Sequence, residues 1–365
     1  MIKTDFEYQI DLENKNILIV MPKFYAYQAK MKADLIARGA NPVFYDEEPE
    51  KTKFLVTKKL EGIFHLQDAF GKFNRQLVKR IIEEKPSEGY DYLLVIRGNV
   101  LTDLVIHEIK LHALKAGAKT IYYSWDAFAN LRHKGELGRN FDRRATFDSV
   151  DAKDSLSQAD DNLKYELLPL FYSDEFDAAR LDEVTEYKYD YVSVSAWFPF
   201  RYRYFKAFAK ANPDKKLCLK IVLDPKVYRG KKLTNPGEVS NLDMDIVTFD
   251  SFTADQIRDL VLSSRAVIDL AHEKQQGLTM RTMETLGIRR KLVTNNIYLK
   301  DYEFYNKESH VILEDLPTKA DRAEATGDYS AFVLPGRHWL DAPYVGDETQ
   351  RSHYSIHAWL DNLFR

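Results

Sequence analysis

Short apolar runs and segments of helical spacing alternate along nearly the whole chain. Asn16 to Met21 (NILIVM) is a continuous apolar run, the pattern of a strand buried on both faces. Residues 24–38 then read as a helix closed by Gly39, a residue suited to the left-handed position after a helix. Pro42 to Tyr45 predicts a second strand. Between 66 and 84, Phe70, Phe73, Leu77, Ile81 and Ile82 fall at helical spacing. Tyr92 to Ile96 (YLLVI) is a third buried strand, with Arg97-Gly98 at its end. Thr102 suits the cap of a helix running to 115, and Lys119 to Tyr123 gives a fourth strand. Two more short strands are expected near Ala145–Phe147 and Glu166–Leu168. Such a series implies a mostly parallel sheet covered by helices.

The polar, acidic stretch 173–187 reads as a linker, after which a second series begins. Strands are expected at Tyr189–Val194, Leu217–Val222, Asp245–Phe249, Ala266–Leu270, Lys291–Thr294 and Val311–Leu313. Helices are expected at 200–211, after a Thr253/Gln256 capping box, and from Met280 to Leu286 ahead of Gly287. Residues 316–350 look irregular. A final helix around 352–364 places Ile356, Trp359, Leu360, Leu363 and Phe364 on one stripe. The expectation is therefore an α/β chain with two Rossmann-like doubly wound domains facing a cleft. The first covers 1–172, the linker 173–187, the second 188–345 and the terminal helix segment 346–365. Ligands of such sheets sit outside the carboxyl ends of the strands.

Composition narrows the function. With 365 residues, 53 basic and 56 acidic side chains and a formal net charge of −3, nothing suggests bulk electrostatic binding to nucleic acid. The single cysteine, Cys218, excludes an internal disulfide and a cysteine-based zinc site. Charged residues from Lys3 to Lys15 do not fit a signal peptide, and no apolar run reaches ~18 residues, so a cytoplasmic protein is expected. The 15 glycines contain no G-x-G pair, and neither a P-loop nor a G-x-S-x-G elbow occurs. Asp243-Met244-Asp245 reads either as a divalent-cation pair or as a polar turn, the turn being the plainer reading. His353 and His357 stand four apart but lack a third ligand, and read as surface histidines.

The most informative stretch is 263–296, SSRAVIDLAHEKQQGLTMRTMETLGIRRKLVTNN. It reads as strand, glycine-containing loop, short helix, strand. The loop Glu273–Thr279 opens onto a helix N-terminus, where free N–H groups and the helix dipole attract phosphate. Gly277 permits close backbone approach, Thr279 suits a cap, Arg281 suits a diphosphate, and Glu284 suits the hydroxyls of a ribose. An amphipathic helix with ordinary surface Arg and Glu is the alternative.

This stretch resembles the nucleotide-sugar-binding segment of GT-B glycosyltransferases. It is most similar to bacterial capsule- and lipopolysaccharide-biosynthesis enzymes related to the spore-maturation glycosyltransferase-like group. Their pattern Q-x-G-L-T-M-R-T-x-E is matched by Gln275 to Glu284, K-L-[IV]-T-x-N by Lys291 to Asn296, and Y-x-F-Y-N by Tyr302 to Asn306. Met21–Phe24, Tyr123–Asp126, Phe147-Asp148, Leu168–Tyr172, Tyr354-Ser355 and Trp359 extend the resemblance over nearly the whole chain. Where such proteins carry a Phe-Val-Gly-like turn, Ser193 to Trp197 has no glycine.

The resemblance implies a nucleotide-sugar donor on the second domain and a terminal helix that crosses back to the first. Glu284 would bind ribose or donor hydroxyls. Arg281, with backbone groups of Gln276, Gly277 and Leu278, would hold the diphosphate or donor sugar. Arg201, or alternatively Lys220, would bind phosphate, and the base would lie near Val247, Thr248 and Phe249. Acceptor chemistry would come from the first domain. Asp126 reads either as the general base or as the cap of a short helix at 127–133, and beside it Trp125 could stack on a sugar. Asp148 and His133 stand behind it, while Lys23, Arg97 and Gly98 are acceptor-side or cleft candidates. No metal or other cofactor is expected, the nucleotide-sugar being a substrate. The implied partners are that donor and a glycan or lipid-linked acceptor, with peripheral contact to the inner membrane or to polysaccharide-assembly enzymes a further expectation. A nucleotide-sugar epimerase of the same architecture and a non-catalytic two-lobed nucleotide-binding protein are the alternatives.

Overall fold

The computed structural model describes residues 8–23, 27–49, 70–180, 186–272 and 275–365. They form two compact units, one ending at Leu170 and completed by Ile356–Arg365, the other running from Phe171 to Ser355. Phe24, the start of the helix expected over 66–84, part of the expected linker, and Glu273 and Lys274 lie outside the described residues.

Unit 1 contains β1 (Asn16–Met21), α1 (Tyr27–Ala37), β2 (Asn41–Asp46), α2 (Gly71–Glu83), β3 (Tyr90–Ile96), α3 (Asp103–Ala113), β4 (Leu114–Ser124), β5 (Arg143–Thr146), α4 (Ser149–Ser155) and β6 (Glu166–Leu167). Its six parallel strands run in the order β2-β1-β3-β4-β5-β6. β1 is an uninterrupted apolar run because helices cover both faces of a parallel sheet; Ile17 to Met21 are wholly buried. Thr102 caps α3 as its sequence predicts, accepting from Val105 N.

Unit 2 contains β7 (Tyr189–Ala196), α5 (Pro199–Ala211), β8 (Leu217–Val222), α6 (Pro225–Thr234), β9 (Val247–Thr248), α7 (Ala254–Leu262), β10 (Ser264–Asp269), α8 (Met280–Gly287), β11 (Lys291–Thr294), β12 (His310–Ile312), α9 (Leu316–Thr326), α10 (Arg337–Asp341) and α11 (Glu348–Ser352). The parallel strand order is β12-β11-β10-β7-β8-β9. The chain therefore builds outward from β7 in one direction, then returns to β7's other side with β10, which makes the β7/β10 boundary the topological switch point. The Thr253/Gln256 capping box at α7 is present in full.

Several expectations need correction. Asp245–Phe249 is strand only at Val247–Thr248, because Asp243 turns the chain: its carboxylate accepts from Asp245 N (2.9 Å) and its carbonyl from Val247 N (2.8 Å). The Asp243/Asp245 pair is thus a turn. The stretch 316–350 holds α9 and α10, hidden because α9 buries mainly Leu316, Ala320 and Ala323, too weak a stripe to stand out. Part of the polar stretch 173–187 folds into unit 2, where Phe176 is buried.

The tail helix is divided in two. α11 ends in unit 2, Tyr172 and Ser355 form an isolated parallel bridge, and α12 (Ile356–Phe364) belongs to unit 1. The apolar stripe of α12 is buried, and so are its polar residues His357 and Asp361. His357 Nδ1 meets Asp34 at 2.9 Å, and Arg38 is held between Asp34 and Asp361. Only His353 of the two tail histidines is a surface residue, 3.0 Å from Glu303.

Candidate functional site

In unit 2 the chemistry gathers where β7 and β10 end. Pro199 at the start of α5 fixes the entry into that helix, and Arg201 follows in its first turn. Arg201 donates through Nε to Leu270 O (2.9 Å) and through Nη1 to Ala196 O (3.2 Å), so one guanidinium spans the ends of both switch-point strands. The rings of Phe198 and Phe200 lie 4.9 and 5.5 Å from it. Burial lowers its pKa against the opposing pull of Asp269, and the group remains a cation.

β10 ends in Asp269, a carboxylate only 8% exposed. It accepts from the hydroxyl of Thr279 and from that of Thr282 (2.8 Å), which ties the strand end to the first turn of α8. Thr279 is the cap of α8, accepting from Thr282 N at 3.1 Å. The N–H groups before Thr282 have no intrahelical partner by geometry. Asn296 Nδ2 donates to Gln276 O (3.0 Å) and Gly277 O (3.2 Å), and Asn295 exchanges two hydrogen bonds with the backbone of Ala271. Leu278 is buried beneath the loop. The loop is thus fastened from three directions, which holds its backbone ready for a ligand.

Arg281 and Glu284 lie one turn apart on α8 and meet at 2.6 Å. Both are largely shielded, with side-chain exposures of 16% and 9%. Arg201 and Arg281 balance Asp269 and Glu284, so two added phosphate charges would meet a neutral cluster with a helix dipole behind it.

The structure separates the other donor-side candidates. The Val247 side chain is wholly buried in the core of unit 2. Thr248 Oγ1 accepts from Asp250 N, and Phe249 is partly exposed with its ring against Tyr228 (5.2 Å). Lys220 lies within β8 rather than at its end, its Nζ on Asp245 O at 2.6 Å.

In unit 1, four charged groups meet at the carboxyl ends of β2, β3 and β4. Arg97, next after β3, contacts Glu47 through Nε, Glu48 through Nη2, and Asp126 through Nη1 at 3.7 Å. Glu47 is fully buried, and burial raises its carboxyl to about 7 despite the opposing charge of Arg97. Asp126 is half-exposed and also raised by its protein surroundings, with Arg97 again opposing. Its side chain caps no helix: Phe128 N at the start of the following turn donates to Asp151 (2.6 Å).

The remaining acceptor-side candidates have structural duties. Asp148 is a fully buried cap of α4, accepting from Val150 N (3.0 Å) and Asp151 N (3.2 Å). His133 has Nε2 on Arg97 O (3.2 Å) and Nδ1 accepting from Gly135 N (3.2 Å), and burial keeps it neutral. Asp148 is thus committed to a helix cap and His133 to two backbone groups. Trp125 packs edge-on against Tyr123 and Trp359, a wall of unit 1 rather than an open platform. Lys23 is exposed and pairs with Asp46 at 2.9 Å. Gly98 has φ +64°, and a Cβ there would come within 2.7 Å of Leu137.

No family model and no curated protein matches the sequence. Solved structures do match. A HepE protein of Anabaena, in complex with UDP and glucose, aligns over 96% of this chain and 98% of its own with a TM-score of 0.52 and 11% identity. The S. aureus MnaA–UDP structure aligns over 96% and 98% with a TM-score of 0.51 and 11% identity. The UDP-GlcNAc 2-epimerase of Methanocaldococcus jannaschii aligns over 95% and 98% with a TM-score of 0.51 and 9% identity. The chain shares their fold. Each of its two six-stranded parallel sheets with interleaved helices corresponds to a Rossmann-like domain of these GT-B proteins. Among the described residues, no helix is long and apolar enough to cross a membrane.

Asp269 and Glu47 were invisible as site residues. Asp269 closes an otherwise apolar strand (AVID), and a carboxylate at that position is the one signal that could have found it. Glu47 sits in an acidic run after β2, where nothing distinguishes the buried carboxylate from its exposed neighbours.

Proposed function

We propose that this protein is a GT-B-type glycosyltransferase that moves a sugar from a nucleotide-sugar donor to a glycan or lipid-linked acceptor in bacterial cell-surface polysaccharide synthesis. The observation that carries the reading is the switch point of unit 2, where Arg201 spans two strand ends beside the fastened loop and N-terminus of α8. Arg201 and the first turn of α8 receive the diphosphate. Glu284, oriented by Arg281, accepts hydrogen bonds from ribose or sugar hydroxyls. As the acceptor oxygen bonds to the anomeric carbon, the bond from that carbon to the diphosphate breaks. The electron pair leaves with the nucleotide, and Asp126 takes the acceptor's proton. Developing charge on the leaving group is stabilised by fixed cations and the helix dipole, so turnover is expected to continue in a chelator. Fold neighbours in complex with UDP support the choice of ligand.

A thermal-shift series with UDP-, GDP-, CDP- and dTDP-sugars tests the donor site. One nucleotide should stabilise the wild type by ~2.7 kcal/mol at a hundredfold its dissociation constant, and Glu284→Ala should lose most of that gain. Equal responses from the two proteins would remove the site assignment. Isomerisation of the sugar without any acceptor would favour an epimerase, as the fold shared with the M. jannaschii enzyme makes worth checking. Binding without release of nucleotide would leave a binding protein.

A further inference from the structure

We infer that Glu47 is a positioning residue for proton transfer at Asp126, acting through Arg97. The inference rests on Asp126 being the base of the reaction proposed above. Glu47 does not reach solvent, so it cannot itself meet an acceptor. One of its oxygens takes Arg97 Nε and the other takes Asn99 N at 2.8 Å. These two bonds grip both ends of the 97–99 turn.

That turn is unusual. Arg97 has φ +70°, a left-handed backbone that a branched or long side chain rarely adopts. Its carbonyl is held by Tyr122 Oη (2.8 Å) and His133 Nε2 (3.2 Å), and its N–H continues the ladder to Tyr123 O (2.9 Å). A strained residue fixed from so many sides is a sign that its side chain must point one way. The guanidinium points to Glu48 and to the half-exposed Asp126.

The charges around Asp126 explain why a buried carboxylate belongs behind the arginine. Arg97 is the cation facing Asp126. Glu47 and Glu48, from the end of β2, lie on the other sides of that cation, and the Tyr122 phenol of β4 feels both Glu47 and Asp126. His133 is neutral and meets Arg97 at its carbonyl, not at its guanidinium. Once Glu47 ionises, as pH rises through about 7, much of the charge of Arg97 is answered, and Asp126 is oriented without losing its basicity. Without that negative charge, Arg97 acts in full on Asp126 and makes it a weaker base.

The test is nucleotide release from whichever of UDP-, GDP-, CDP- or dTDP-glucose stabilises the wild type, with water as acceptor, so that no glycan need be known. In Glu47→Gln, kcat should fall roughly threefold to tenfold above about pH 8, where Glu47 is ionised in the wild type, while the KM for donor stays unchanged. Below about pH 5, where Glu47 is already protonated in the wild type, the two kcat profiles should meet. Glu47→Asp should recover part of the lost rate. If Glu47→Gln does not fold, Arg97→Lys keeps the cation but loses the fork that grips Glu47, and should lower kcat at constant donor KM. A wild-type rate and pH profile in the folded Glu47→Gln protein, with Asp126→Asn inactive, overturns the inference alone. A fully active Asp126→Asn, or a wild type that releases no nucleotide, overturns the proposed chemistry and the inference with it.

Discussion

The strand ends of the two sheets carry opposite chemistry on the same scaffold. At the ends of β2, β3 and β4 three carboxylates surround the single guanidinium of Arg97. At the ends of β7 and β10 stand Arg201, held on two backbone carbonyls, and the N-terminus of α8, whose Thr279 and Thr282 hydroxyls tie down the carboxylate of Asp269. One sheet end gathers carboxylates around a guanidinium, the other a guanidinium beside a helix N-terminus. The shared backbone supplies only the place, a switch point outside the carboxyl ends of parallel strands. Both ends bury a carboxylate, Glu47 in one and Asp269 in the other; what differs is the arginine's partners, carboxylates for Arg97 and backbone carbonyls for Arg201.

The sharpest break of this contrast is Asp126→Asn. Removing the base should lower turnover by ~10²–10⁴ without changing donor affinity, read as kcat against KM for nucleotide release. Next in size is the pH dependence of stability, whose sign differs between the units. His310 in unit 2 is buried and held down to about 4, so its contribution is complete above pH ~6.5 and is lost as pH falls toward 4. Glu47 in unit 1 is raised to about 7, so its contribution is complete below pH ~4.5 and is lost as pH rises through 7. Each is worth about 3 kcal/mol at its limit. Melting temperature against pH should flatten on the acid side in His310→Phe and on the alkaline side in Glu47→Gln. Arg201→Ala follows, with donor affinity weaker by roughly 1.5–3 kcal/mol in a calorimetric titration and kcat for bound donor less affected. Smallest is Thr279→Ala, which removes the cap of α8 and a partner of Asp269 and should cost about 1 kcal/mol in denaturant unfolding.

The sequence and the structure agree best where a pattern is local. Buried strands such as β1, β3 and β11 are continuous apolar runs, and the cap residues Thr102, Thr253 and Thr279 announce their helices. α9 was missed because two alanines make much of its buried face, and α6 because it buries no residue at all. The donor-side loop was legible as loop, cap and first turn. Its fastenings were not, because Asp269 and Asn296 reach it from other elements through hydrogen bonds that no spacing rule encodes. The same holds for Asp148 and His133: both sit at sensible distances along the chain from Asp126, yet one is spent on a helix end and the other on a turn. Asp361 is buried where Arg38 meets it from 323 residues away.

The side-by-side pairing of Tyr172 with Ser355 has a consequence for how the protein comes into being. The second unit is one uninterrupted stretch of chain, whereas the first lacks its 9-residue helix α12 until all of the second has been made. On the ribosome, therefore, unit 1 is completed only after unit 2 has been made, and Arg38 waits with Asp34 for its remaining carboxylate until α12 emerges. The same geometry marks where a scalpel would go: a short turn joining Leu170 to Ile356 should release the first lobe whole, and residues 171–355 should stand as a separate protein.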